Sequence, residues 1–332
     1  MSGKKAVLEI KGLRTQFFLR EGVVTALDGI DLTIYENESV GIVGETGCGK
    51  SMTAYSILRL VPHPGRITAG SIRYKGTELT TLDQDRMRSV RGTKISMIFQ
   101  DASTALDPVF TVGDQLGEVI SLHQRIYDKK ALQKKVIEAL MLVRIAAPEK
   151  VVTMYPHELS GGMKQRVMIA LALSCSPSML IADEPTTALD VTIQGQILKL
   201  LKALVAKTGS SMMLITHNLG IVAETCDRIC VMYAGRIVED AETFELFERP
   251  SHPYTVGLLS AFPKLGVKQA ELPVIRGTVP NLMKPFKGCS FVDRCDKAME
   301  VCAHKRPPRV EVSPGHFVSC HLWSGGERPG GT

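Results

Sequence analysis

Apolar residues fall into short runs separated by polar punctuation, and their spacing changes along the chain. Val7-Leu8-Glu9-Ile10, Val23 to Leu27, Ile30 to Ile34 and Val40 to Val43 read as short strands, the last as a continuous buried run. A helix is predicted from Gly49 to about Leu60, stopped by Pro62. Leu132, Val136, Leu140 and Val143 then recur at helical spacing, which predicts an amphipathic helix in a mostly helical insertion over 101–158. Met179 to Ala182 reads as a buried strand. Val191 to Lys207 reads as a helix with Ile193, Ile197, Leu200, Leu201 and Leu204 on one face, ending at Gly209. Met212 to Thr216 and Arg228 to Tyr233 follow as strands, the second turning at Ala234-Gly235 into Arg236 to Glu239. Strand–helix alternation of this kind predicts an α/β domain with a largely parallel sheet.

Length and composition refine that picture. A chain of 332 residues exceeds one average domain, so a large domain with an appendage is expected. With 44% hydrophobic and 22% charged residues it has ample apolar surface for a core. The start, MSGKKAVLEI, lacks the apolar segment of a signal peptide. The most apolar stretch, Val167 to Ala182, is broken by Ser174, Ser176 and Pro177 and falls short of the ~20 residues that cross a bilayer. A cytosolic chain able to dock on a membrane protein is the expectation.

From residue 251 the composition shifts: 9 of the 17 prolines lie there, with 11 Lys and Arg against 6 Asp and Glu. Without a dense basic run or interleaved aromatics this reads as a solvated basic tail, and nucleic-acid binding is not expected. The tail should be loop-rich and bury little core unaided, so it calls for a staple. Cys48, Cys175, Cys226 and Cys230 sit among apolar neighbours and read as small core residues, whereas Cys289, Cys295, Cys302 and Cys320 crowd into 32 residues.

The chemistry concentrates in three stretches. Gly44-Glu45-Thr46-Gly47-Cys48-Gly49-Lys50-Ser51 satisfies G-x-x-x-x-G-K-S/T between a strand and a helix, the context in which backbone N–H groups turn onto phosphate oxygens. Lys50 is placed to bridge the β- and γ-phosphates of a nucleotide and the Ser51 hydroxyl to ligate Mg²⁺, with Met52 closing the loop's contacts. Cys48 contributes backbone only. In LIADEP, Asp183 ends a buried strand where it can hold Mg²⁺, and Glu184 can polarise the attacking water. In LSGGMKQR, Ser160-Gly161-Gly162 opens a helix as a second phosphate-binding terminus. One phosphate loop already covers the near face of a nucleotide. The second terminus must therefore address another nucleotide, or the same one from across a dimer.

Over residues 6–240 these motifs resemble the nucleotide-binding subunits of ABC transporters. The resemblance implies an α/β fold: a phosphate-loop ATPase core of mostly parallel sheet with N-terminal antiparallel strands, carrying a helical subdomain at 101–175. It implies that Gln100 in MIFQD contacts Mg²⁺ and reports to membrane subunits, that Asp190 in TTALD lies at a dimer seam, and that His217 in LITHN reaches the γ-phosphate. Phe17, beside Phe18, matches the aromatic that stacks on adenine, although either ring can simply belong to the core. Two departures stand out: Met163 replaces a common Gln in the signature, and Asn218 replaces the usual Asp after the histidine. Neither removes a phosphate ligand.

Beyond HPYT (252–255) and GTVP (277–280), the spacing C-x5-C-x6-C-x17-C resembles the C-terminal extension of dipeptide and oligopeptide importer ATPases. There, four such cysteines bind a 4Fe–4S cluster. Zinc is the rival ligand, although the close C-x₂₋₄-C pair it usually shows is missing. His304, His316 and His321 are expected to stand apart from the ligand set. The expectation is then an ABC domain over 1–250 and an extension over 251–332. ATP and Mg²⁺ would serve as substrate and cofactor at the cytoplasmic face of the inner membrane. The implied partners are a second, related ATPase subunit in a heterodimer, two transmembrane permease subunits and an extracytoplasmic peptide-binding protein. A soluble ABC ATPase, or an importer ATPase for nickel chelates or glutathione, is the alternative.

Overall fold

The computed structural model describes residues 4–187, 189–261, 275–278, 280–284 and 286–324. The chain forms two compact units, one of residues 1–34, 39–80 and 216–332 and the other of residues 35–38 and 81–215.

In the first unit a four-stranded sheet runs in the order Gly22–Tyr35, Ala6–Leu19, Gly65–Tyr74, Thr77–Glu78. Its strands are longer than the apolar runs predict. Ala6–Leu19 continues past Ile10 through Thr15, a polar residue that is fully buried because its hydroxyl pairs with Ser56 Oγ at 2.9 Å. The two predicted runs Val23–Leu27 and Ile30–Ile34 are one strand that passes through Gly29, whose φ of +83° suits glycine. Ile30, Leu32 and Ile34 are buried and alternate with exposed Asp31 and half-buried Thr33, as a strand covered on one face requires.

A second set of strands in this unit runs Arg309–Ser313, His316–Ser319, Arg236–Glu242, Arg228–Tyr233, Ser39–Val43. Val40 to Val43 lie parallel to Arg228 to Val231 and are buried throughout. The predicted helix after the glycine loop spans Lys50–Ile57.

The tail is better anchored than its composition suggests. Its hairpin extends the sheet, pairing Glu239 with Val318 and Asp240 with Phe317. Buried Glu239 accepts from Ser251 N (2.6 Å), His252 N (2.9 Å) and His316 Nε2 (2.8 Å), so each of its oxygens has a donor. His316 is therefore a buried structural partner. Asp240 holds Arg228 at 2.7 Å and Arg309 at 3.0 Å. Trp323 is buried and donates its indole N–H to Ser251 O at 2.9 Å, while Tyr233, Tyr254 and Phe291 pack as a trio with ring centroids 4.6–5.4 Å apart. Paired carboxylates, a grafted hairpin and aromatic packing do the stapling.

In the second unit Ile95–Ile98, Met179–Asp183 and Ser211–Ile215 are parallel and buried along their whole length, as strands covered on both faces must be. The predicted insertion is helical: Ala102–Ala105, Val112–Gln124, Lys129–Leu142 and Pro148–Val151, followed by Gly161–Leu173. Thr111 and Asp114 close a reciprocal capping box at the start of Val112–Gln124. Val136 and Leu140 bury the predicted stripe of Lys129–Leu142, and Val143 caps its end. Val191–Thr208 ends, as predicted, at Gly209 in the left-handed conformation.

Candidate functional site

The glycine loop lies in the first unit, and its backbone explains its composition. A Cβ on Gly44 would stand 2.2 Å from Met232 O, and one on Gly49 2.8 Å from Ala26 O, so both positions exclude any side chain. Gly47 has open space around it and needs glycine only for its φ of +82°. Lys50 is 6% exposed, and its ammonium donates to Gly44 O at 2.8 Å and Glu45 O at 3.0 Å. A buried ammonium satisfied by the carbonyls of its own loop is a cation held ready at the start of the helix, the end whose dipole favours an anion. Cys48 is buried, and burial pushes its thiol pKa up, so it stays a neutral packing group. Ser51 and Met52 follow on the helix, both half-buried, and Thr46 is exposed.

His217 belongs to the same unit. Thr216 N donates to Ile42 O at 3.2 Å, which sets the exposed His217 beside the end of Ser39–Val43, the strand that feeds the loop. Asn218 then caps Leu219–Thr225, its Oδ1 accepting from Gly220 N (2.9 Å) and Ile221 N (3.4 Å). A cap needs an accepting oxygen and no charge, which is why Asn serves where Asp is usual. Phe17 is half-buried and faces Gly65, where a Cβ would approach its ring to 2.7 Å; Phe18 is covered by Arg66, whose Cζ is 4.1 Å from the ring centre.

The second unit gathers the other predicted residues. Asp183 ends its strand fully buried. Glu184 turns away from the strand with φ of +44°, a conformation costing about 1 kcal/mol in a residue with a side chain, and its N–H donates to Ile215 O at 2.8 Å. Its carboxylate accepts from Gln100 Nε2 at 3.3 Å and from Thr187 Oγ1 at 2.9 Å. Gln100 and Glu184, predicted separately, are thus in contact. Ser160 caps Gly161–Leu173, its hydroxyl accepting from Met163 N at 3.4 Å, and Gly161 is exposed. Half-buried Gly162 lies where a Cβ would meet Ile193 Cγ2 at 3.1 Å. Asp190 caps the next helix through Ile193 N at 3.0 Å and is followed by Val191, 84% exposed.

The tail cysteines form a loose patch. Cys289 N donates to Cys302 O at 2.8 Å. Burial raises the thiol pKa values of Cys289, Cys295 and Cys320, the last to about 11, and the other three tail cysteines push Cys320 the same way. Among the described residues no group of three or more His, Cys, Asp or Glu side chains is arranged to hold a metal ion. The expectation of a 4Fe–4S cluster or zinc at Cys289, Cys295, Cys302 and Cys320 gains no support from this geometry.

Two residues that contact the loop went unread in the sequence. Tyr254 Oη accepts from Glu45 N at 3.0 Å, and Arg294 forms a two-pronged ion pair with the Glu45 carboxylate at 2.7 and 3.0 Å. They lie 209 and 249 residues from Glu45 along the chain, beyond the reach of any local pattern.

A glycine loop cradling a buried lysine at a strand-to-helix junction defines a phosphate-loop nucleotide-binding protein of α/β architecture. The ABC transporter family matches residues 27–187, and the family described as oligopeptide/dipeptide transporter, C-terminal region, matches residues 238–302. A "Probable peptide ABC transporter ATP-binding protein" of Sinorhizobium fredii is 52% identical, covering 95% of this chain and 94% of that one. A dipeptide transport ATP-binding protein of Bacillus subtilis is 48% identical over the same shares. In structure, a dimeric bacterial ABC transporter cassette, MJ0796, matches with a TM-score of 0.64 and 28% identity, covering 71% of this chain and 98% of the cassette. The chain belongs to the ABC transporter family, among its ATP-binding proteins.

Proposed function

We propose that the chain is the ATP-hydrolysing subunit of an ABC importer for dipeptides or oligopeptides. The observation that carries this reading is the buried Lys50 ammonium held within the glycine loop, in a chain whose relatives are described as peptide transport ATP-binding proteins. The glycine loop, Gly44 to Ser51, binds the phosphates of ATP through backbone N–H groups other than that of Glu45, which Tyr254 takes, and through the Lys50 ammonium, and Phe17 stacks on its base. Ser51, Asp183 and Gln100 would hold Mg²⁺: a hydroxyl, a buried carboxylate and an amide oxygen are the hard donors this cation prefers. The cation supplies charge neutralisation at the transferred phosphoryl group. Glu184, oriented by Gln100 and Thr187, takes the proton from the attacking water, and His217 steadies the γ-phosphate.

Ser160, Gly161 and Gly162, with Asp190, serve a nucleotide carried by a second ATPase subunit, so that ATP joins two subunits head to tail. That subunit is a related, distinct chain. The pair works under two membrane permease subunits fed by an extracytoplasmic binding protein. No helix among the described residues is long and apolar enough to cross a membrane, which suits peripheral attachment at the cytoplasmic face. The division at residue 250 into an ABC domain and an extension is part of this reading. A 4Fe–4S cluster, or zinc, at the four tail cysteines is a separate proposal that rests on their spacing and its resemblance to the importer extension; no step above depends on it.

The test is Glu184→Gln in the assembled transporter. ATP binding should persist while turnover falls about 100-fold or more, the scale of a lost general base. Full turnover in that variant would remove Glu184 from its role, and loss of binding would place it with the phosphate ligands.

A further inference from the structure

Glu45 is the second residue of the glycine loop, and it is held at three points. Its carbonyl accepts from Lys50 Nζ, its N–H donates to Tyr254 Oη, and its carboxylate takes both prongs of Arg294. Two of the three come from the tail. Arg294 is the more committed of them, since every nitrogen of its guanidinium is engaged. Nε donates to Arg276 O at 2.8 Å, Nη1 to Glu45 and to Tyr233 Oη (3.3 Å), and Nη2 to Glu45 and to Ile275 O (3.4 Å). The guanidinium also lies 5.7 Å from the Tyr233 ring centre and 5.9 Å from that of Phe291, and the side chain is 6% exposed.

The backbone beneath it is equally fixed. Val292–Arg294 is a single tight turn, closed by Arg294 N donating to Phe291 O at 3.0 Å and Cys295 N to Val292 O at 3.3 Å. A planar fork that meets a carboxylate bidentately sets orientation as well as distance, which a lone ammonium does not. The Glu45–Arg294 pair therefore fixes the orientation of the loop's second residue against the tail.

We infer that Arg294 is a positioning residue for nucleotide binding: the tail, through Arg294 and Glu45, holds the phosphate loop in its binding conformation. The inference rests on the reading that residues 44–51 hold the nucleotide's phosphates. It gives the extension a direct part in the ATPase cycle. A loop held loosely must pay its ordering entropy when the phosphates arrive, and that cost appears as weaker affinity.

The test is equilibrium titration of the full chain with a fluorescent ATP analogue, alongside thermal melting. Arg294→Ala and Glu45→Ala should each weaken binding about tenfold, the scale of a hydrogen-bonded charge pair. The double variant should bind no worse than the weaker single one, because both remove the same contact. Arg294→Lys, which keeps charge but loses the fork, should fall between wild type and Arg294→Ala, and it carries the test should Arg294→Ala fail to fold. Wild-type affinity in both Arg294 variants, or losses that multiply in the double variant, would overturn the inference. Lys50→Ala serves as the separate control. If it binds ATP normally, the phosphate-loop reading falls; if it does not bind while Arg294 variants bind normally, only the positioning role falls.

Discussion

His252 gives a pH dependence whose sign and size follow from its surroundings. It is fully buried, and burial lowers its pKa from 6.5 to about 4 against the opposing pull of the Glu239 carboxylate. Its Nδ1 accepts from Tyr254 N at 3.0 Å, a bond that requires the unprotonated nitrogen. Because the folded pKa is depressed, the unfolded chain binds the extra proton first. Stability is fully present above pH 6.5 and is lost as pH falls toward 4. The shift of about 2.5 units corresponds to about 3 kcal/mol, or about 6 °C in Tm for a chain of this size. His252→Asn removes the titration while leaving an oxygen that can cap Tyr254 N. Melting both proteins from pH 7.5 to 4 cancels the carboxylates they share, including Asp28 and Glu78, whose lowered pKa values act chiefly at the acid end. Wild type should lose about 3 kcal/mol more than the variant over that range. Parallel curves, or a wild type that gains stability in acid, would refute the reasoning.

The glycine loop and its flanks give further expectations. Gly47→Ala should cost about 1 kcal/mol in stability from backbone strain alone, whereas Gly44→Ala must displace Met232 O and should abolish ATP binding; equal effects in a melting and binding series would count against this geometry. Asn218→Ala should lower stability by about 1 kcal/mol in urea melts through loss of the cap, while Asn218→Asp stays within a few tenths of wild type. Protein purified without oxygen and assayed for iron, sulfide and zinc should carry four iron and four sulfide per chain if the cysteine proposal holds; metal-free protein that folds normally and turns over ATP in the assembled transporter would leave those cysteines as packing residues.

How much of this is legible in the sequence depends on how local the cause is. The phosphate loop, the buried strand before it and the Gly209 stop were readable because glycine spacing and continuous apolar runs are dictated by neighbours a few residues away. The strand ends were not. Thr15 looks like a surface residue until Ser56, 41 residues on, supplies its hydrogen bond. The tail's proline content hid its anchoring, because Glu239 and Asp240 collect partners from residues that precede and follow the prolines. Arg294 read as one of many basic tail residues, and only folding brings it to Glu45. The contact of Gln100 with Glu184 was not foreseen, because each was read for its own role and no spacing rule predicts contact across 84 residues.

The proposed function requires ATP to act as the glue between two ATPase subunits, each supplying what the other lacks. Light scattering of the Glu184→Gln protein with its partner subunit, with and without ATP and Mg²⁺, measures this most directly. Association should tighten markedly when ATP is present and relax when Ser160 is replaced by Arg. Association indifferent to ATP would contradict it.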